Sequence, residues 1–125
     1  MSKPLLLDSN IVIYSGLVSS IQLRNWLKFR DIEVSVISKL EVLGYHSLNK
    51  KDKIYFEAFF TKCKIIQIDS TIINVAIHYR QLKSMSLADA IIAATAKNHN
   101  LPLVTANTKD FKHIETLEII NPLAT

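Results

Sequence analysis

The sequence predicts an α/β domain of three layers, a mainly parallel central sheet with helices on both faces. Two observations carry this. Short apolar runs alternate with segments of helical periodicity along all 125 residues. The helical segments between strands are long enough to act as right-handed crossovers between parallel strands. With 49% hydrophobic residues, only 2 Gly and 3 Pro, and no Ser- or Pro-rich break, residues 1–125 read as one unit with a single core rather than two domains.

Each element follows from its own pattern. Residues 4–8, PLLLD, form a buried strand stopped by a polar cluster. Residues 9–17 and 20–30 are helical, the second with Ile21, Trp26 and Phe29 on one face and Arg24, Lys28 and Arg30 on the other. Residues 32–37, IEVSVI, alternate and are β-branched, which gives strand two. Helices follow over 38–48 and 50–63, the latter with a basic start and an aromatic stripe. Strand three is KIIQID, 64–69, and helices cover 70–84 and 86–99, broken near Ser84–Ser86. Strands four and five are PLVTA, 102–106, and LEIIN, 117–121.

Composition narrows the class. One cysteine, Cys63, forms no internal disulfide and no Cys-based zinc site. The N-terminal segment has only a three-residue apolar run before an acid, and nowhere do about 18 apolar residues follow one another. The expectation is a soluble, cytoplasmic protein with no membrane partner. His46, His78, His99 and His113 share no spacing that suggests a metal site or a dyad. No Gly-rich turn follows a strand, so dinucleotide binding is excluded.

In a parallel sheet the chemistry lies beyond the C-terminal strand ends, and four acids fall there. Asp8 ends strand one, Glu41 lies three residues into the helix after strand two, Asp89 three residues into SLADAIIAATA, and Asp110 shortly after strand four, near Asn107. Each also has a structural explanation. Ser38-x-x-Glu41 and Ser86-x-x-Asp89 match the capping box, Asp8 could cap the next helix, and Asp110 could make an Asx turn. Asp89 strains that explanation most, because apolar residues surround it in sequence and a buried carboxylate needs a partner. A shared divalent cation would supply one, and Mg²⁺ or Mn²⁺ suits a cluster of carboxylates.

These residues resemble the PIN-domain ribonucleases, and among them the VapC-type toxins of bacterial toxin–antitoxin pairs. The resemblance rests on LLLDSNIVIYSG, on ISKLEVLGY, and on residues 79–111, YRQLKSMSLADAIIAATAKNHNLPLVTANTKDF, in family order along essentially the whole chain. It implies a PIN-like α/β/α fold and an Mg²⁺- or Mn²⁺-dependent endoribonuclease that leaves a 5′-phosphate and a 3′-hydroxyl. Asp8, Glu41 and Asp89 match the three best-defined acidic positions, and Asp8 and Asp89 would be the principal ligands. The fourth position departs from the pattern: Asn107 stands where many family members have an acid, and Asp110 would complete the site instead. By the same resemblance Asn10, Thr105 and Asn107 would orient ligands or the attacking water, with Ser9 close by. The implied partners are an RNA substrate, a cognate antitoxin and a second copy of the chain in a homodimer.

The charge balance agrees with that reading. Lys plus Arg is 15 and Asp plus Glu is 11, so setting four acids aside leaves 7 acids against 15 cations, about +8 around an acidic hole. Arg80 and Lys83 are the best-placed phosphate contacts, ahead of the run Lys50, Lys51 and Lys53. The competing reading is a non-catalytic PIN-like module that binds RNA or protein, which the Asn107 departure allows.

Overall fold

The structure is a computed structural model that describes residues 3–124. Strand β1, Leu5–Leu7, leads into α1, Ser9–Ser15, and α2, Ile21–Leu27; β2, Ile32–Ser35, leads into α3, Val36–Leu43, and α4, Lys50–Thr61. β3, Lys64–Ile66, is followed by α5, Ser70–Leu82, and α6, Leu87–Asn98; then come β4, Leu103–Val104, a 3-10 turn over Thr108–Asp110, and β5, Ile119–Ile120.

The strands form one sheet in the order β3-β2-β1-β4-β5, and every pairing is parallel, as the crossover lengths require. β1 is central, with Leu6 opposite Glu33 on one side and Leu103 on the other. Its three leucines are all buried because both faces of the sheet are covered. Leu6 packs with Ile72, Ile91, Ile92 and Phe111 on one face. Leu5 and Leu7 pack with Val12, Leu27, Phe56 and Phe60 on the other. The chain runs outward from β1 to β3 and then returns to add β4 on the opposite side. The switch point, where parallel sheets open a crevice, therefore lies between β1 and β4.

Two expectations need correction. Strand two stops at Ser35, whose Oγ accepts the Ile37 amide and caps α3. The β-branched pair Val36-Ile37 is helical despite its propensity, since an N-cap and tertiary packing outweigh a preference of tenths of a kcal/mol. The buried face of α2 is Leu23 and Leu27, whereas Ile21 and Phe29 are 59% and 87% exposed. The helix ends at Leu27, so Phe29 lies beyond its periodicity.

Candidate active site

The four acids arrive at one end of the sheet from four segments. Asp8 directly follows β1 and is only 3% exposed. It is the N-cap of α1, its Oδ1 accepting the Ile11 amide at 2.9 Å. Its Oδ2 accepts the Thr105 hydroxyl at 2.5 Å, from the end of β4 across the switch point. Thr105 is fully buried and its Oγ1 also accepts the Asn107 amide at 3.0 Å, which leaves its proton for Asp8. Capping and site chemistry are thus one arrangement at Asp8.

Asp89 is half-buried, not enclosed as its apolar neighbours suggested. The helix packs through Ala90, Ile91, Ile92, Ala93 and Ala94, while its first turn projects, with Leu87 60% exposed. The Ser86 half of the capping box is present: Ser86 Oγ accepts the Asp89 amide at 3.1 Å. The most buried acid is Asp8, which the sequence marked as a strand end, a candidate cap and a candidate ligand but not as the buried one.

Ser38 is no N-cap, contrary to the capping-box reading. It lies inside α3 with no exposure, and Glu41 sits a turn further on, exposed. The Glu41 Oε1 accepts the Ser9 hydroxyl at 2.5 Å, and Ser9 Oγ is 2.9 Å from Ser38 Oγ. The serine-to-acid spacing was visible in the sequence, but its use required the position of α1 beside α3. Asp110 is exposed at the end of the 3-10 turn, and Asn107 precedes that turn without capping it through its side chain. Asn10 is exposed on the first turn of α1.

The carboxylates feel one another. Burial pushes the Asp8 carboxyl above its usual range, opposed by the hydrogen bonds from Thr105 and Ile11 and reinforced by the charges of Asp89 and Glu41. Burial also raises Asp89, opposed by the Ser86 hydroxyl and reinforced by Asp110 and Glu41. The charges named on both groups are all carboxylates. Like charges so placed form a trap for a cation, and hard oxygen donors suit Mg²⁺ or Mn²⁺. Among the described residues no three acid, His or Cys side chains close around one point. The donor set therefore fits a cation held by one or two carboxylates with waters, not a closed protein cage.

Asp89 and Asp110 share a cavity of about 270 Å³ with Lys83, Ser84, Met85 and Ser86. Lys83 thus reaches the acidic end. Arg80 does not line this cavity; its Nε donates to the Met85 carbonyl at 3.2 Å. A larger concavity, about 670 Å³, opens at the other end of the sheet, lined by Pro4, Arg24, Tyr55 and Lys64 among others, and none of the four acids faces it. Size does not locate the chemistry here; the convergent carboxylates do.

A family model described as PIN domain matches residues 5–117. Ribonuclease VapC1 from Rickettsia felis is 31% identical over 131 residues, covering 93% of this chain and 94% of that protein. Ribonuclease VapC from Rickettsia bellii is 45% identical over 42 residues, 34% of this chain and 31% of that protein. A solved toxin–antitoxin complex from Klebsiella pneumoniae superposes with a TM-score of 0.78 at 30% identity, covering 97% of this chain and 99% of that one.

Proposed function

The chain belongs to the PIN-domain family, and on that premise we propose that it is a metal-dependent endoribonuclease, the toxin of a toxin–antitoxin pair. The observation that carries the reading is the gathering of Asp8, Glu41, Asp89 and Asp110, with the Asp8 carboxyl raised by burial and by the charges of Asp89 and Glu41, and the Asp89 carboxyl raised by burial and by those of Asp110 and Glu41. Asp8 and Asp89 would hold Mg²⁺ or Mn²⁺, with Glu41 and Asp110 completing its surroundings directly or through water. Such a cation supplies a water activated for attack at neutral pH and offsets charge on the scissile phosphodiester.

The chain's own groups prepare the site. Thr105 and the Ile11 amide fix both oxygens of Asp8, so it meets an incoming cation without losing rotamer freedom at that moment. Ser86 holds the first turn of α6 and so the root of Asp89. Lys83, at the rim beside Asp89 and Asp110, offers a cation to a phosphate next to the scissile one. Around these acids the remaining residues carry the positive excess that a polyanion requires. RNA as substrate, an antitoxin as inhibitor and a homodimer as the working form follow from the resemblance to the VapC ribonucleases and the toxin–antitoxin complex.

The test is cleavage of labelled RNA by purified, antitoxin-free protein with Mn²⁺ or Mg²⁺, with EDTA and Asp89→Asn as controls. Metal-dependent cutting that falls by at least about 100-fold in Asp89→Asn is expected, since even supporting partners of metal ligands are worth 10–100-fold. Cutting that persists in Asp89→Asn would remove the site from this position. Folded protein that neither cuts RNA nor binds Mn²⁺ would instead support the non-catalytic module, the reading favoured by Asn107 at the fourth position and by the open spacing of the acids.

A further inference from the structure

Ser38 poses a question that capping does not answer. It is a polar side chain with no exposure, on a helix whose N-cap is Ser35, and its hydroxyl meets Ser9 Oγ at 2.9 Å. A buried hydroxyl without a partner forfeits the hydrogen bonds it made to water, so this contact is one that Ser38 needs. Ser9, itself 8% exposed, has a single proton and two oxygens within reach, Ser38 Oγ and Glu41 Oε1. The shorter contact, 2.5 Å to Glu41, has the length of a hydroxyl bond to a charged oxygen, and such bonds are the stronger ones. The Ser9 proton therefore goes to Glu41. That leaves the Ser9 lone pairs to accept the proton of Ser38.

We propose that Ser38 and Ser9 form a one-way hydrogen-bond chain, Ser38 to Ser9 to Glu41, that fixes the Glu41 carboxylate toward the other acids. Both serines are positioning residues; Glu41 is the group they position. The need is specific to this acid. Asp8 is pinned at both oxygens, and Asp89 is short and rooted in a capped turn. Glu41 is longer and exposed, and an unanchored glutamate keeps among the largest rotamer freedoms of any side chain. Its anchor runs from α3 across to α1, 32 residues away, so the placement of Glu41 depends on the packing of two helices. The inference rests on the reading of Glu41 as a site acid, and its test separates the two.

The first arm needs no activity. In protein labelled with ¹³C at the glutamate carboxyl carbon, the Glu41 resonance is identified among five by its loss in Glu41→Gln. Ser9→Ala and Ser38→Ala should each move that resonance and leave those of Glu33, Glu57, Glu115 and Glu118 in place, while Ser9→Thr, which keeps the hydroxyl, should restore it. A Glu41 resonance unmoved in folded Ser9→Ala overturns the proposal, whether or not Ser38→Ala folds. The second arm is kinetic. Ser9→Ala should lower kcat about tenfold with KM unchanged, and Ser9→Ala with Glu41→Gln should be no slower than Glu41→Gln alone. Effects that multiply would mean a tie between helices with no bearing on Glu41. If the wild-type protein cuts no RNA, the ribonuclease reading falls and the resonance arm still decides the hydrogen-bond chain.

Discussion

At Asp8 a cap, a strand end and a proposed cation ligand coincide in one side chain, and its environment has a measurable sign. Its carboxyl is raised above its unfolded value, so in the metal-free protein the folded state keeps a proton that the unfolded state has released. Stability from this group is full below the ordinary aspartate range, about 3.9, and is lost as pH rises through the raised folded value. Asp89 acts in the same direction. Asp8→Asn keeps an oxygen for the Ile11 amide, and Asn is as good an N-cap as Asp. The variant loses the oxygen that accepts the Thr105 proton, a cost that does not vary with pH, so in EDTA the melting temperature of wild type should fall relative to that of Asp8→Asn as pH rises from 4 to 7. Melting temperatures that differ by a constant amount across that range would contradict a carboxyl raised by burial at Asp8. The sequence marked all four acids because strand ends and helix starts are legible one at a time. It misjudged which was buried, because the flanking residues of Asp89 are apolar while its own turn projects from the sheet.

The elements were legible where their periodicity was long and consistent, and α4 is the clearest case. Its aromatic stripe puts Phe56 and Phe60 in the core as spacing predicted, with Phe59 partly covered beside them. Junctions were less legible, since Val36 and Ile37 have strand propensity and become helical under the Ser35 cap and the packing around them. Phe56 also links an element to the site. A Cβ on Gly16, the C-cap of α1, would lie 2.9 Å from Phe56 Cζ, so α4 supports the far end of the helix that Asp8 starts. Phe56→Ala should lower the unfolding free energy by about 3–5 kcal/mol in a denaturant titration. A loss under 1 kcal/mol would show that α1 does not lean on this ring.

At the scale of the molecule, the sheet order turns four distant segments into one acidic end, which no local pattern could reveal. Cation binding there should stabilise the whole fold by mass action, by about 2.7 kcal/mol at a concentration 100 times Kd. Mn²⁺ should therefore raise the melting temperature of wild type and leave that of Asp89→Asn unchanged; equal shifts in both would place the ion elsewhere. The central position of β1 has another consequence, for the order of events during synthesis. β1 is made before every other strand of the sheet, yet the Thr105 partner of Asp8, at the end of its second neighbour β4, lies 97 residues later. Every strand pairing spans a crossover, so no local hairpin can form ahead of the rest. A nascent chain emerging at about 5–20 residues per second thus spends seconds with β1 exposed along one edge and Asp8 unpaired. The acidic end assembles only after β4 and the turn that holds Asp110 have been made, so a product truncated before Thr105 would carry Asp8, Glu41 and Asp89 without the strand that brings them together.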